Sequence, residues 1–253
     1  MNSEIKIVSY NIQKGLKAEA LVKNIRSCAE EGVIVFCLQE FWKWTQPIDL
    51  EIKLLEALGP DWWIEYETSD KPRYDYGLCI LWKNSALQAL SFKRLAFPLI
   101  SKAKTWEKLW LYFHGTGKEA FIPQRGALIG TFNWNSLRLR ITNLHLDWQS
   151  GMRHRMKQIT YLRDYLTTDS GSDFEVICGD FNSIGILKKA KQPRIFGRIL
   201  GNEFENASNT LTITCPPFSL DHMFVKNLKV KYFQVRKLPG SDHFPIFACL
   251  SRK

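Results

Sequence analysis

The sequence predicts a mixed α/β protein built on two packed β-sheets, with helices on the outer faces. Short apolar runs of strand type recur along the whole chain, and helical periodicity occurs only in isolated segments between them. No Gly/Ser-rich linker or low-complexity block interrupts the sequence, which favours one domain spanning residues 1–253. A hydrophobic content of 45% allows such a domain to bury a core and argues against disorder.

The strand predictions rest on apolar runs rich in β-branched and aromatic residues, several of which show period-2 alternation. The predicted strands cover residues 5–11, 33–40, 62–67, 76–83, 87–95, 125–134, 137–146, 174–182, 219–226, 228–235 and 243–250. A short Asn-rich turn joins 125–134 to 137–146, which indicates a hairpin.

Helices are predicted where apolar residues recur with a period near 3.6. The first spans 16–32 and ends at Gly32, the second spans 48–58, and the third spans 152–166. Residues 96–124 match no regular element, and a connection of that length is often functional.

The charge of the chain favours polyanionic partners. Lys and Arg number 35 against 25 Asp and Glu, giving a net charge of +10. Nucleic acid, phosphorylated metabolites and anionic lipid head groups all fit this balance. No apolar run reaches about 18 residues and no classical signal peptide is evident, so we expect a cytoplasmic protein without a transmembrane segment. We also expect a monomer. Specialised secretion stays open.

The six cysteines form no CxxC pair, so neither a zinc site nor a disulfide framework is expected. Four of them lie inside apolar runs, at Cys37, Cys79, Cys178 and Cys249. Most of the cysteines are therefore interpreted as small, reduced core residues.

Polar residues recur where the predicted strands begin or end. They are Asn11 in SYNIQKG, Glu40 in FCLQEFW, His145 in NLHLDW, Asp180 and Asn182 in ICGDFNS, Asp221 in SLDHMFV, and Asp242 with His243 in GSDHFP. Any one of them is typical of a cap or a turn. Together, the carboxylates, imidazoles and amides suit a site that holds a hard cation and a phosphate.

In this order, the motifs resemble the endonuclease/exonuclease/phosphatase superfamily, from SYNIQKG at 9–15 to SDHFP at 241–245. The family includes nucleases of the exonuclease III and deoxyribonuclease I types, inositol polyphosphate phosphatases and sphingomyelinases. The resemblance implies a deoxyribonuclease I-like, four-layered sandwich of two mixed β-sheets flanked by helices. It also implies a hydrolase that uses Mg²⁺ or Mn²⁺ and in-line attack by water on phosphodiester or phosphomonoester bonds.

The resemblance assigns a role to each strand-end residue. The metal side is implied to be Asn11, Glu40 and Asp242. The catalytic set is implied to be His145, Asp180, Asn182, Asp221 and His243. Asp180 would orient or deprotonate the attacking water, Asp221 would orient the His243 imidazole, and Asn182 would donate to phosphate oxygens. Gln13 stands where the exonuclease III type often has Asp. His145 stands where that type tends to have Tyr, which favours the other branches.

Substrate contacts are expected outside this set. Arg125 opens a strand where a basic residue can reach phosphate, with an exposed surface charge as the alternative. Trp106 and Trp110 alternate with lysines, a pattern that suits stacking on bases, insertion at a membrane interface or a core-packed helix. Asp147, His154 and His222 are interpreted as structural or surface residues.

Three functions stay open on the sequence alone. The first is a Mg²⁺-dependent phosphodiesterase acting as a nuclease. The second is a hydrolase of phospholipids, sphingomyelin or inositol phosphates. The third is a catalytically silent anion-binding module, which the complete set of strand-end residues disfavours.

Overall fold

The computed structural model describes residues 3–42, 44–45, 48–67, 77–98, 125–148, 151–169, 171–183, 191–208 and 213–253. The strands are β1 (Glu4–Asn11), β2 (Val35–Phe41), β3 (Trp44–Thr45), β4 (Ile48–Asp49), β5 (Trp62–Glu67), β6 (Gly77–Lys83), β7 (Gln88–Ala96), β8 (Gly126–Trp134), β9 (Leu137–His145), β10 (Phe174–Asp180), β11 (Phe204–Asn206), β12 (Asp221–Lys226), β13 (Leu228–Val235) and β14 (Ile246–Arg252). The helices are α1 (Ala18–Glu30), α2 (Leu50–Leu58), α3 (Met152–Thr168) and α4 (Lys191–Leu200).

The strands form two six-stranded mixed sheets. The first has the order β13-β14-β1-β2-β6-β5, and the second has the order β11-β12-β10-β9-β8-β7. Each sheet contains one parallel pair near its centre, β1 with β2 and β9 with β10. The short strands β3 and β4 pair separately.

The two sheets pack face to face around a shared core. Ile5 and Ile7 of β1 lie in the same apolar cluster as Val176 and Cys178 of β10, as period-2 alternation requires. The outer face of the first sheet packs against α1 and α2, and the outer face of the second packs against α3 and α4. The predicted four-layered, deoxyribonuclease I-like sandwich is therefore confirmed. No helix among the described residues is long and apolar enough to cross a membrane.

Helix α4 was not predicted from the sequence, because Pro193 and Gly197 both disfavour a helix interior. Proline is tolerated in the first turn, where backbone N–H groups have no partner within the helix. A Cβ at position 197 would lie 3.3 Å from the ring of Phe224, so glycine allows the helix to approach β12 closely. Phe196 and Leu200 are buried against the second sheet.

A pair of buried amides ties the sheets together beneath their polar edge. Gln39 Nε2 of β2 donates to Asn143 Oδ1 of β9 across 2.7 Å. Asn143 Nδ2 donates in turn to the carbonyl oxygens of Leu38 and Cys79, at 2.8 and 2.9 Å. Both side chains are fully buried, so each hydrogen bond forms in a medium of low polarity. The register of one sheet against the other is thereby fixed.

Replacing Asn143 by Ala should destabilise the protein by about 2–5 kcal/mol. The change removes the amide that donates to the buried Leu38 and Cys79 carbonyls, and it removes one of the three acceptors of Gln39 Nε2. Each buried group that loses its partner costs about 1–3 kcal/mol before relaxation. Equilibrium denaturation by urea measures the difference. Asn84→Ala, at an exposed turn, is the matched control and should change stability by less than about 0.5 kcal/mol. Equal stabilities for the two variants would show that the amide pair does not tie the sheets.

Candidate active site

Strand pairing aligns the predicted site residues at one edge of both sheets. Asp180 of β10 pairs with His145 of β9 on one side and with Asp221 of β12 on the other, so three polar side chains share one level of the second sheet. In the first sheet, Asn11 pairs with Gln39, the residue before Glu40. The two sets face each other where the sheets end.

Gly179 allows the second sheet to place Asp180. Its φ of +144° lies in a region that side chains disfavour. A Cβ at this position would lie 1.9 Å from the carbonyl oxygen of Leu144, far inside van der Waals contact. The glycine of the GDFN motif is therefore required by the close approach of β9 to β10.

Asp180 is the point at which the two halves of the site meet. Its Oδ2 accepts a hydrogen bond from Asn11 Nδ2 at 3.0 Å and lies 3.4 Å from His145 Nε2 and 3.9 Å from His243 Nε2. Its Oδ1 accepts from the backbone N–H of Asn182 at 2.8 Å. The pKa of Asp180 is raised to about 7, because burial raises it by more than the charge of His243 and the two hydrogen bonds lower it. A carboxyl group with this pKa can exchange a proton near neutral pH.

His243 is held as an imidazolium by Asp221. Its Nδ1 lies 2.8 Å from Asp221 Oδ2, and both side chains are buried. Burial lowers the pKa of His243, but the charge and hydrogen bond of Asp221 outweigh that effect and raise it to about 12. The predicted pairing of these two residues is present, and it favours the protonated ring.

Burial and the neighbouring Arg125 keep His145 as a neutral imidazole. Arg125 Nη1 lies 3.0 Å from His145 Nδ1. A guanidinium group only donates, so Nδ1 accepts and the ring proton sits on Nε2, facing Asp180. Burial and the positive charges of Arg125 and His243 keep the pKa of His145 well below its ordinary value. Arg125 is itself buried, so the alternative of an exposed surface charge is wrong.

A bulge in β2 directs Glu40 toward the site. The pairing of β2 with β6 shifts between Gln39 and Phe41, and Glu40 adopts a φ of +55°. Bulges of this kind re-aim one side chain, and a non-glycine residue with positive φ often marks a functional position. Burial raises the pKa of Glu40, and the positive charges of Arg125 and His243 lower it.

Asn11, Glu40 and Asp242 supply oxygen donors on the side of the first sheet. The Asn11 amide oxygen accepts from the backbone N–H of Gln13 at 3.1 Å. Ser241 Oγ lies 2.7 Å from the Asn11 carbonyl oxygen and 3.2 Å from Asp242 Oδ1, which brings the exposed Asp242 to the same edge. Carboxylate and amide oxygens are the donors that Mg²⁺ and Mn²⁺ prefer, so this set fits a hard divalent cation.

A second group of possible metal donors belongs to the centre of the site. Ligand atoms of Asp180, Asp221 and His243 lie within 4.8 Å of one another, and all three residues are buried. Asp221 is already hydrogen bonded to His243, so this group consists of that hydrogen-bonded pair with the Asp180 carboxylate beside it.

One predicted site residue also makes a structural contact, and two others lie outside the described residues. Asn182 uses one amide hydrogen on the carbonyl oxygen of Leu146, at 2.8 Å, and adopts a φ of +47°. Its side chain therefore also fixes the loop after β9. Trp106 and Trp110 lie outside the described residues.

Polar residues of α3 that the sequence analysis missed support the loop after His145. Gln158 Oε1 accepts from the backbone N–H of Asp147 at 3.1 Å, and Arg155 Nη1 donates to the Asp147 carbonyl oxygen at 3.2 Å. Both side chains are buried. The spacing R-x-x-Q, which puts two long polar side chains on one helix face, was the available signal.

Ser183 and His222 form a second missed contact, directly behind the site. Ser183 Oγ lies 2.6 Å from His222 Nε2, and it donates to the carbonyl oxygen of Ser219 at 2.6 Å. The structural interpretation of His222 agrees with its burial and with this contact.

A family model described as the endonuclease/exonuclease/phosphatase family matches residues 8–243. The chain belongs to this family. Its members are phosphoester hydrolases. No curated protein sequence gives a significant match.

Solved structures of family members share the fold of this chain. An endonuclease/exonuclease/phosphatase from Bacteroides vulgatus superposes with a TM-score of 0.75 at 14% identity, covering 100% of both chains. D. rerio TDP2 in complex with a single-strand DNA product gives 0.68 at 17% identity, covering 99% of this chain and 100% of that one. A mannosyl-6-phosphatase from Bacteroides thetaiotaomicron gives 0.71 at 15% identity, covering 97% and 99%.

The charge state of His243 should depend on Asp221. In the metal-free protein, the His243 imidazole should stay protonated through neutral and mildly alkaline pH, because its pKa is about 12. In Asp221→Asn, burial remains and the largest opposing charge is gone, while Asp180 stays nearby, so the pKa of the ring should fall well below about 12. Imidazole ¹⁵N chemical shifts across a pH series measure the pKa of His243 in the wild type and in Asp221→Asn.

The raised pKa of His243 determines how the stability of the protein depends on pH. The contribution of His243 to the free energy of unfolding is present below about pH 6.5 and is lost only as the pH rises toward 12. His222, whose pKa burial lowers to about 4, is an internal control that should stay neutral in both proteins at pH 7. A wild-type His243 that titrates with an ordinary midpoint would contradict this account of the pair.

Proposed function

We propose that this protein is a Mg²⁺- or Mn²⁺-dependent phosphodiesterase that hydrolyses its substrate by in-line attack of water. The proposal rests on the three polar side chains that surround one carboxylate oxygen of Asp180. One buried carboxylate oxygen faces a neutral imidazole at 3.4 Å, an imidazolium at 3.9 Å and an amide donor at 3.0 Å. Such a set of buried polar groups does not help a structural core to pack, whereas a phosphate with an attacking water needs an acceptor and several donors.

The oxygen donors of Asn11, Glu40 and Asp242 would hold the cation. When bound, the cation neutralises phosphate charge and supports the leaving oxygen. The protein fixes these donors by two local devices, the bulge at Glu40 and the Ser241 hydroxyl between Asn11 and Asp242. Both devices reduce the reorganisation needed when a substrate arrives.

Asp180 is proposed as the group that orients the attacking water and accepts its proton. Its pKa of about 7 makes the ionised form available at neutral pH and the protonated form accessible after transfer. His243 would stabilise the charge on the phosphate as an imidazolium. His145 would donate from Nε2 to a phosphate oxygen or to Asp180, with Arg125 holding the tautomer.

Nucleic acid is the proposed substrate class. A net charge of +10 favours a polyanion with many phosphates over a small phosphorylated metabolite. The similar TDP2 structure contains a single-strand DNA product, which is compatible with this choice on the shared fold. Hydrolysis of a phosphomonoester is the second candidate, because the mannosyl-6-phosphatase has the same fold at a TM-score of 0.71.

Hydrolysis should require a divalent cation. The test is a screen of the purified protein on plasmid DNA, RNA, bis-p-nitrophenyl phosphate, a sugar phosphate, sphingomyelin and inositol phosphates. We expect turnover with Mg²⁺ or Mn²⁺, none in excess EDTA, and a loss of at least about 100-fold in Glu40→Gln, which removes one oxygen donor's charge. Full activity in EDTA would exclude the proposed metal role, and turnover of lipid alone would exclude nucleic acid.

Asp180→Asn and His243→Gln should each lower kcat by roughly 10²–10⁴-fold while the fold is retained. Asparagine keeps the shape of Asp180 but cannot accept a proton, and glutamine removes the positive charge of His243. The measurements are kcat on bis-p-nitrophenyl phosphate and the circular dichroism of each variant. Asp164→Asn, at an exposed position of α3, is the control and should keep kcat. A near-wild-type kcat in either site variant would remove that residue from the mechanism.

A further inference from the structure

Cys215 differs from the other cysteines of the chain. Five of the six are buried, as the sequence predicts for small core residues, and Cys215 alone is partly exposed. It lies on the segment before β12, beside the edge that carries the site, and its sulfur lies within 4.8 Å of a ring nitrogen of His243. The mechanism proposed above does not use it.

The backbone fixes Cys215 against the site from two directions. Cys215 forms an isolated bridge with Phe218, and its N–H donates to the Phe218 carbonyl oxygen at 3.0 Å. The carbonyl oxygen of the preceding Thr214 accepts from the N–H of Phe244, the residue after His243. The Thr214 hydroxyl accepts from the backbone N–H of Asp221 at 3.1 Å. The position of the thiol is therefore set by the same strands that place the catalytic pair.

Three different ligand types converge at this point. The Cys215 sulfur, a carboxylate oxygen of Asp242 and a ring nitrogen of His243 all lie within 4.8 Å of one another. Around a tetrahedral zinc ion, with bonds of about 2.0–2.3 Å, ligand atoms stand roughly 3.3–3.8 Å apart, so small side-chain movements suffice. Asp242 is exposed and Cys215 partly so, which leaves a path for an ion from solvent and an open fourth position.

The Asp221–His243 pair prepares the imidazole for a metal. A histidine that binds zinc usually donates its other ring N–H to a carboxylate, which fixes the tautomer and strengthens the ligand. His243 Nδ1 is engaged with Asp221 at 2.8 Å, so Nε2 is the nitrogen left for coordination. Thiolate, imidazole and carboxylate together suit Zn²⁺, whereas the oxygen set of Asn11 and Glu40 suits Mg²⁺.

We propose that Cys215, Asp242 and His243 form a second cation site, selective for Zn²⁺ over Mg²⁺, whose occupancy inhibits the hydrolase. The inhibition rests on the proposed function, and the binding does not. On binding, the Cys215 thiol and the His243 Nε2–H each release a proton to solvent, and sulfur and nitrogen lone pairs form the new bonds. Inhibition follows because the ion removes the positive imidazolium and occupies Asp242.

Cobalt titration tests the binding directly. Reduced, metal-free protein titrated with Co²⁺ should develop a thiolate-to-cobalt charge-transfer band in the near ultraviolet, saturating at one equivalent and abolished by Zn²⁺. Cys215→Ser and Cys215→Ala should lack the band, and the matched control Cys249→Ser should keep it. Circular dichroism verifies that each variant is folded. Absence of the band in the wild type, or its persistence without Cys215, would overturn the site.

Activity measurements with added Zn²⁺ test whether occupancy of this site inhibits the hydrolase. With Mg²⁺ in excess, Zn²⁺ should inhibit the wild type and Cys249→Ser equally, and Cys215→Ser should need roughly 100-fold more Zn²⁺ for half-inhibition. Basal activity with Mg²⁺ alone should be similar in all three proteins. Equal sensitivity of Cys215→Ser and the wild type would overturn the inhibitory role. A protein that binds cobalt through Cys215 but hydrolyses no phosphoester would refute the proposed function and leave the cation site established.

Discussion

The contact between Gln39 and Asn143 is the constraint on which the site depends. One half of the site is carried by β1, β2 and the segment before β14, and the other half by β9, β10 and β12. Apolar packing between two sheets tolerates some sliding, because dispersion forces have little directional preference. Hydrogen bonds between buried amides are directional and therefore do not tolerate such sliding. The Gln39–Asn143 contact beneath the site thus fixes the distances of Asn11 and His243 from Asp180.

The two imidazoles show how neighbours, and not residue type, decide the chemistry of a side chain. Both rings are buried and both face Asp180, yet one is opposed by a guanidinium and the other by a carboxylate. His145 is therefore neutral with a defined tautomer, and His243 is a cation. A site with two equal rings would lack this division between a neutral donor and a fixed positive charge.

Much of the architecture was predictable, because alternating apolar residues and the strand-end motifs are local signals. The layered sandwich was predicted, and so were Asp180, Asp221 and His243, which the structure brings together. Helix α4 was not predicted, because Pro193 and Gly197 oppose a helix that packing against Phe224 stabilises. The Cys215 cluster has no local signal, since that contact arises from pairing between segments about 30 residues apart in sequence.

The position of β14 links enzymatic competence to the order of folding. β14 lies between β13 and β1 in the first sheet, and Glu4 pairs with Ser251. Until residues 246–252 arrive, β1 has a free edge, and Asp242 and His243 have no fixed place. Such long-range pairing is slow and leaves an unprotected edge during synthesis. A chain without residues 246–252 would therefore lack the strand that closes the edge of β1 and the fixed positions of Asp242 and His243.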